Sequence, residues 1–367
     1  MNSGPTSETS PHTASVPVAS AAGPPLTATN LSLTRGFANW LQTNNTSIAF
    51  TSYQSGRVYL VGVDGQGRVA ILEILTGRAM GLWADDQRLV VAVLNQVWRY
   101  ENILQPGQIL EGKDRHFIAR EARTTGDLDI HDIAIDGEGR IVFVNTLFSC
   151  LATLSERHSF KPIWKPPFIS RRAAEDRCHL NGTAMGAGKP AFVTATSRSD
   201  AVNGWRARRG EGGCVIDVES SEIVTEKLSM PHSPRWHDGK LWVEDSGSGY
   251  LGTVDLSSGR FERAVFCPGF LRGLAFHKHF ALVGLSLPRD GSFKGLTLED
   301  ELRKRDADPW CGVQIIDLRT GDIVEWLRFE AGVTEMFDVA VLPGVRNPGA
   351  TAPSAPQLST LLSIEEA

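Results

Sequence analysis

The stretch from His232 to Phe266, HSPRWHDGKLWVEDSGSGYLGTVDLSSGRFERAVF, decides the fold class, because it divides into short apolar runs separated by tight-turn residues. Apolar runs of this length between Gly, Asp and Ser residues are typical of β-strands. The Asp-Gly pair at 238–239 predicts a two-residue hairpin turn, and the DLSSG segment at 255–259 predicts a second tight turn. The stretch therefore predicts a small antiparallel sheet of about four strands.

The same pattern recurs along the chain. Further copies are GRVYLVGVDGQGRVAILEI from Gly56, CVIDVESSEIV from Cys214 and CGVQIIDLRTGDIVEWLRF from Cys311. Their spacing, near 40–50 residues, is that of four-stranded propeller blades. Helical periodicity is limited to residues 298–307, LEDELRKRDA, which predict one short amphipathic helix.

Counting the innermost strands predicts an all-β, six-bladed β-propeller. The first blade, near residues 47–75, contains only three strands, and an isolated strand, FDVAV, lies near the C-terminus. Pairing the two would close the ring and remove the exposed sheet edges. A count of seven blades is the alternative, because the sequence does not define the blade boundaries between residues 102 and 129. The six predicted inner strands are 80–84, 131–135, 180–184, 233–237, 271–276 and 337–341.

The termini are predicted to be tails. Residues 1–35 and 347–367 are rich in Ser, Thr, Pro and Ala, whereas 36–346 carry the repeat. Truncating both tails is expected to leave the melting temperature unchanged. The five scattered cysteines include no CxxC pair, and neither a signal peptide nor a membrane-spanning run is found. We therefore expect a cytoplasmic protein that has no membrane partner.

Charge and missing motifs exclude several function classes. The formal net charge is -5 and the pI about 6.0, so a nucleic-acid partner is not expected. Neither a phosphate-binding P-loop nor a GxGxxG motif occurs, so no nucleotide cofactor is expected. The oligomeric state is left open.

Three histidines fall at the starts of successive predicted inner strands: His131, His179 and His232. In a propeller these positions lie at one mouth of the central channel. Three neutral imidazoles on rigid strands would bind Zn, Fe or Cu and leave a coordination position open. The alternative is that each histidine only hydrogen-bonds the backbone of a neighbouring blade.

Two further residues at this mouth are candidate catalytic groups. Asp132 would orient an imidazole or act as a base. Arg272 begins an otherwise apolar strand, where its charge must bind an anion or be paired, in the second case with Asp132 or Asp338.

Two long insertions, 197–213 and 288–310, are predicted to overhang the same mouth, because each falls between the second and third strands of its blade. The first is basic and aromatic and would attract an acidic ligand, unless it is only a solvated loop. The candidate ligand-binding residues of the mouth are Asn181, Arg235, Asp338, Trp205 and Arg206.

Several motifs resemble a bacterial family of conserved hypothetical proteins known only as a domain of unknown function. They include HDIAIDGEGRIVFVNTLFSCLATL from His131, RCHLNGTAM from Arg177 and PGFLRGLAF from Pro268. The resemblance covers residues 36–348 and implies a propeller-like fold without an activity. A distant similarity to strictosidine-synthase-like and lactonase-like propellers, and to peptidyl-hydroxyglycine lyases that bind a metal through histidines, is an analogy of fold.

Together these observations predict a ligand-binding propeller with a three-histidine metal site, acting as a metal-dependent enzyme on a small or peptide-like anionic substrate. The alternative is a non-catalytic module that binds a peptide or a small molecule.

Overall fold

The computed structural model describes residues 30–289 and 291–364, and in them six small antiparallel sheets form the predicted six-bladed propeller. From the innermost strand outward, blade 1 contains β25 (Asp338–Pro343), β2 (Thr46–Ser52), β3 (Arg57–Val63) and β4 (Val69–Leu75). Blade 2 contains β5 (Leu82–Ala84), β6 (Arg88–Val93), β7 (Gln96–Asn102), β8 (Arg115–Thr124) and β26 (Pro348–Thr351). Blade 3 contains β9 (Ile130–Ile135), β10 (Ile141–Asn145), β11 (Cys150–Thr153) and β12 (Lys161–Trp164).

The remaining three blades follow in chain order. Blade 4 contains β13 (Leu180–Gly186), β14 (Lys189–Ala195), β15 (Gly213–Asp217) and β16 (Ile223–Leu228). Blade 5 contains β17 (Pro231–His237), β18 (Lys240–Asp245), β19 (Tyr250–Asp255) and β20 (Arg260–Phe266). Blade 6 contains β21 (Phe270–His277), β22 (Phe280–Ser286), β23 (Cys311–Asp317), β24 (Asp322–Ala331) and β1 (Asn30–Leu33). The α-helices are α1 (Phe37–Asn44) and α2 (Thr297–Lys304), and short 3-10 turns lie at Arg206–Arg208 and Pro356–Ser359.

The turns of blade 5 form as the local sequence predicts. Asp238 and Gly239 both have positive φ, 49° and 73°, which is the backbone of the tight hairpin turn that matches strand twist. In the next turn, the carboxylate of Asp255 accepts a hydrogen bond from the backbone N–H of Ser257 at 2.8 Å. Gly259 closes this turn at φ 68°, a conformation that glycine adopts without strain.

Closure of the ring is confirmed. The C-terminal strand β25 pairs antiparallel with β2 over six residues, so the last inner strand belongs to the first blade. Buried aromatic rings fill the seam between blades 6 and 1, where Phe50, Tyr59 and Phe329 lie with ring centroids 5.0–5.9 Å apart. The first and last blades are thereby held together by both main-chain pairing and an apolar core.

The tail boundaries differ from the prediction on both sides. Residues 30–33 extend blade 6 by pairing with β24, and residues 348–351 run parallel to β8 at the edge of blade 2. Asn347 is buried, and its backbone N–H donates to Asp114 at 2.7 Å. These pairings join segments distant in the sequence, so no local pattern indicates them. Residues 1–29 and 365–367 lie outside the described part of the chain.

The other structural predictions concern cysteines, the helix and membrane spans. All five cysteines are buried free thiols. Helix α2 overlaps the predicted segment 298–307 and begins one residue before it, whereas α1 was not predicted. In the described ranges, no helix has both the length and the apolar character needed to cross a bilayer.

Candidate functional site

The three predicted histidines come from neighbouring blades, 3, 4 and 5, and lie where the inner strands begin. The rings of His131 and His179 meet edge to face, with centroids 4.8 Å apart. All three are buried: His131 and His179 are each 8 % exposed, and His232 is 4 % exposed. His179 itself has φ 51°, a left-handed conformation that costs a non-glycine residue free energy and is concentrated at functional sites.

His131 and His232 are held in the same way by the turns that precede them. The Nδ1 of His131 lies 2.9 Å from the carbonyl oxygen of Asp129, and the Nδ1 of His232 lies 2.8 Å from that of Met230. Asp129 and Met230 both have positive φ, 53° and 47°, in these turns. A carbonyl oxygen only accepts hydrogen bonds, so both Nδ1 atoms carry the proton, and the Nε2 atoms of the neutral rings are acceptors.

His179 is held by a carboxylate and covered by an indole ring. Its Nδ1 lies 2.9 and 3.1 Å from the two carboxylate oxygens of Asp176. Trp205, from the first insertion, donates its indole N–H to the same carboxylate at 2.7 Å and stacks on the imidazole at a centroid distance of 4.0 Å. The prediction that this insertion overhangs the mouth is therefore confirmed, and Trp205 is its contact residue.

Burial keeps two of the imidazoles neutral. It lowers the pKa of His131 to about 3; the carboxylate of Asp129 opposes this effect, and the charge of Arg272 adds to it. Burial also lowers the pKa of His232 well below its ordinary value, again with a contribution from Arg272. At neutral pH both rings are therefore uncharged, and the Nε2 of His232 is buried without a hydrogen-bond partner in the described residues.

Arg272 is a buried cation without an anion. It is 7 % exposed, and within residues 30–289 and 291–364 its side chain has neither a hydrogen-bond acceptor nor an ion-pair partner. Its guanidinium carbon lies 4.1 Å from the centroid of the Phe337 ring, whose edge also faces His131. Burial, together with the neighbouring Arg289, lowers the pKa of Arg272 to about 10, so it remains charged at neutral pH.

The carboxylates nearest to Arg272 are bound to other arginines. Glu335 accepts a hydrogen bond from Arg289 at 2.6 Å, and Asp129 lies 3.5 Å from the guanidinium of Arg78. Both carboxylates act on Arg272 only over a longer distance, as modest contributions that raise its pKa. The positive charge at the mouth is therefore only partly compensated.

The expected partners of Arg272 belong instead to Arg235, one layer deeper in the channel. Arg235 donates to both carboxylate oxygens of Asp132, at 2.7 and 3.2 Å, and lies 3.6 Å from Asp338. It also donates to the carbonyl oxygens of Thr183 and Leu274. The Arg235 clamp, defined as Arg235 with these two carboxylates and two carbonyls, ties blades 1, 3, 4, 5 and 6 together.

The clamp corrects the predicted roles of three residues. Asp132 was expected to orient a histidine or act as a base, but its carboxylate is taken up by Arg235 and by the backbone N–H of Thr183 at 2.9 Å. Asp338 accepts from the backbone N–H of Leu82 at 2.8 Å, which adds blade 2 to the clamp. Asp132, Arg235 and Asp338 therefore form the floor of the site. Their charges are paired with one another, as buried charges in proteins usually are.

Two further predicted ligand-binding residues have separate positions. Asn181 donates its side-chain N–H to Thr196 and to the carbonyl of Pro231, a bridge between blades 4 and 5. Arg206 is exposed on the rim, with its guanidinium 4.5 Å from the Trp205 ring.

The second insertion completes the rim. Its Phe293 stacks on Phe270 at 6.5 Å, and Phe270 in turn meets the His232 ring edge to face at 5.4 Å. Arg209 of the first insertion donates to the carbonyl of Lys294 at 2.7 Å, so the two insertions contact each other beside the mouth.

The predicted metal site lacks a matching arrangement in the described residues. Over 30–289 and 291–364, no three or more His, Cys, Asp or Glu side chains are grouped in a way that would hold a metal ion. Metal binding by His131, His179 and His232 thus stays a prediction.

Three contacts were not predicted from the sequence. They are the hydrogen bond of His179 to Asp176, the cation–π contact of Arg272 with Phe337 and the hydrogen bond of His131 to the carbonyl of Asp129. Only Asp176 had a readable signal, since it precedes His179 by three residues. Two depressions lie elsewhere: one of about 350 Å³ beside α1, and one of about 630 Å³ at the outer edges of blades 4 and 5. Neither includes a histidine or Arg272.

Comparisons with known proteins agree with this fold. A family model described as "Domain of unknown function (DUF4915)" matches residues 35–351. A protein of unknown function from Bacteroides caccae is 9% identical, with a TM-score of 0.50, 81% of this chain and 98% of that one covered. A chain of a nidogen/laminin complex is 11% identical, with a TM-score of 0.49, and 81% of this chain and 98% of that one are covered. A streptogramin B lyase is 11% identical, with a TM-score of 0.42, and 76% of this chain and 78% of that one are covered. No curated protein matches the chain.

Proposed function

Since the chain belongs to the DUF4915 family, whose description names no activity, we propose a function from the channel mouth: the propeller binds a small anionic molecule there, and Arg272 holds its negative charge. The observation that carries this proposal is the buried guanidinium that has no acceptor in the described residues.

The free energy of a buried charge supports the proposal. An unpaired ion away from water is costly, so buried charges in proteins are paired or bind a ligand. A guanidinium presents a planar fork of donors that matches carboxylate and phosphate oxygens. The face of Phe337 fixes the plane of that fork by a cation–π contact. An anion at this position would complete the site.

The surroundings favour a small ligand. The Arg235 clamp occupies the channel below the histidines, and Trp205 covers the ring of His179 from above. A ligand would therefore lie between a polar floor and an aromatic rim, in a layer about one side chain deep.

A metal ion is the second candidate, because all three imidazoles direct their Nδ1 atoms at protein acceptors. Metal-ligating histidines have this arrangement, which leaves Nε2 free for the metal. The uncompensated charge of Arg272 beside His131 and His232 opposes cation binding. Stoichiometric Zn, Fe or Cu in protein purified without a His tag would favour this candidate over the anion.

The test measures thermal stabilisation and calorimetric binding by a panel of carboxylates, phosphate and sulfate. We expect at least one anion to bind wild type, Arg272→Met to abolish that binding and Arg272→Lys to weaken it. Arg260→Met, at an exposed arginine of β20, is the matched control and should bind as wild type does. Equal binding by the Arg272→Met variant would overturn the proposal.

A further inference from the structure

The mouth has a second property besides charge: its histidines offer acceptors. The Nδ1 atoms of His131, His179 and His232 are all directed at acceptors of the protein itself. In the neutral rings of His131 and His232, the Nε2 atom therefore presents a lone pair, which can only accept a hydrogen bond. These two acceptors come from blades 3 and 5, around the region on which Arg272 acts.

At least one of these acceptors has no partner. The Nε2 of His232 is buried and without a hydrogen bond in the described residues, and the ring is 4 % exposed. Leaving a buried polar atom unsatisfied costs free energy, so a ligand that supplies a donor there gains affinity. Arg272 does not satisfy this atom, because the Nε–H of Arg272 is itself buried without an acceptor in the described residues.

Building on the proposed function, we infer that the ligand is a polyhydroxylated acid, a molecule that carries one anionic group and several hydroxyl groups, as sugar acids and sugar phosphates do. Arg272 holds the anionic group, and the hydroxyl groups donate to the imidazoles.

The chemistry of the mouth favours hydroxyls over other donors. An ammonium group would be repelled by the uncompensated guanidinium. A hydroxyl is neutral, and it both donates and accepts, so it can donate to an imidazole while its oxygen accepts from Arg272. Because the acceptors of His131 and His232 lie on separate blades, a ligand with hydroxyls on several carbons fits them better than one with a single donor.

The experiment compares ligands that share a charge but differ in hydroxyl groups, by calorimetry at pH 7.5. The carboxylate arm contains gluconate, galactonate, glucuronate and galacturonate, with hexanoate as the unhydroxylated match. The phosphate arm contains glucose 6-phosphate, with inorganic phosphate as the match, and sorbitol is the uncharged control. We expect at least one hydroxylated anion to bind on the order of 100-fold more tightly than its match, and sorbitol not to bind.

Two variants test whether the imidazoles are responsible. His232→Leu should weaken the hydroxylated anion on the order of tenfold and leave hexanoate or phosphate binding unchanged. His131→Leu is an independent variant in case the first does not fold, and His158→Leu, at an exposed histidine, is the matched control.

The outcomes separate this inference from the proposed function. If hexanoate binds as tightly as every hydroxylated acid, and phosphate as tightly as glucose 6-phosphate, the inference is wrong while the anion site stands. If no anion binds wild type at millimolar concentration, both are wrong. The arm that contains the tighter ligand decides between a carboxylate and a phosphate group.

Discussion

Replacing Arg272 by methionine should make the ligand-free protein more stable, although it removes a buried side chain. Burial lowers the pKa of Arg272 to about 10. A basic group whose pKa falls on folding destabilises the fold at every pH below that folded-state pKa, so the full cost is present at pH 7. This depression corresponds to about 3 kcal/mol. Methionine has a similar length and no charge, and it removes this cost.

One interaction is lost in the variant. The cation–π contact with Phe337 contributes about 0.5–2 kcal/mol. The net change is then a gain of about 1–2.5 kcal/mol in the free energy of unfolding, or a rise of about 1–4 °C in the melting temperature of a chain of this length. Stability gained with loss of ligand binding is the behaviour expected of a functional residue.

The assay is urea and thermal denaturation of wild type, Arg272→Met and Arg272→Lys in a buffer free of carboxylate, phosphate and sulfate. Lysine keeps the charge and should bring no gain. A methionine variant that is less stable than wild type would show that the guanidinium has a stabilising partner within the protein. The argument for an anion at the mouth would then be wrong.

Three further predictions concern blade 5, the channel and the C-terminus. Glu244 is completely buried on β18, the second strand of blade 5, and burial raises its pKa to about 8. The folded state therefore binds this proton more tightly than the unfolded chain, so the wild-type free energy of unfolding should fall as pH rises from about 5 to 8, and Glu244→Gln should gain stability at pH 8 but not at pH 5 in urea titrations. Asp132→Ala removes the two hydrogen-bonded carboxylate contacts of Arg235 and leaves the guanidinium with Asp338 alone, at 3.6 Å, so it should lower the free energy of unfolding by about 3–5 kcal/mol in urea. Ending the chain after Thr351 should leave the melting temperature nearly unchanged. Ending the chain after Arg346 removes the paired strand β26 and should lower the melting temperature by several degrees. Equal melting temperatures for the two variants would contradict a stabilising role of that strand.

The blade structure could be predicted because it depends on short segments. The hairpin turn at Asp238 and Gly239 needs only two residues that tolerate positive φ, and the strands beside it need only short apolar runs. The elements missed were those whose sequences carry no local signal: the edge strands β1 and β26, and the helix α1. The partners of the two edge strands lie far along the chain. An edge strand also packs beside only one neighbouring strand, so its sequence carries a weaker pattern.

The candidate site was only partly predictable. The position of Arg272 in an apolar strand indicated a charge that needs a partner, and the histidines at the starts of inner strands indicated a common mouth. The identity of the partners was not readable. Asp132 and Arg235 are separated by 103 residues, and their contact depends on how the six blades converge.

The sequence by itself determined the repeat, the turns and the strand that closes the ring, because these follow from local backbone preferences and from the alternation of apolar and polar residues. It left the number of blades at six or seven, and the structure decided for six. Only the tertiary structure decided which charge is satisfied and which is left open. Arg235 and Arg272 are both arginines near the starts of inner strands, but their depths in the channel differ. Arg235 lies where two carboxylates from other blades converge, whereas Arg272 lies one layer higher, against an aromatic ring and neutral imidazoles. The free energy of a charge depends on what surrounds it in three dimensions, and closing the ring is what brings those surroundings together.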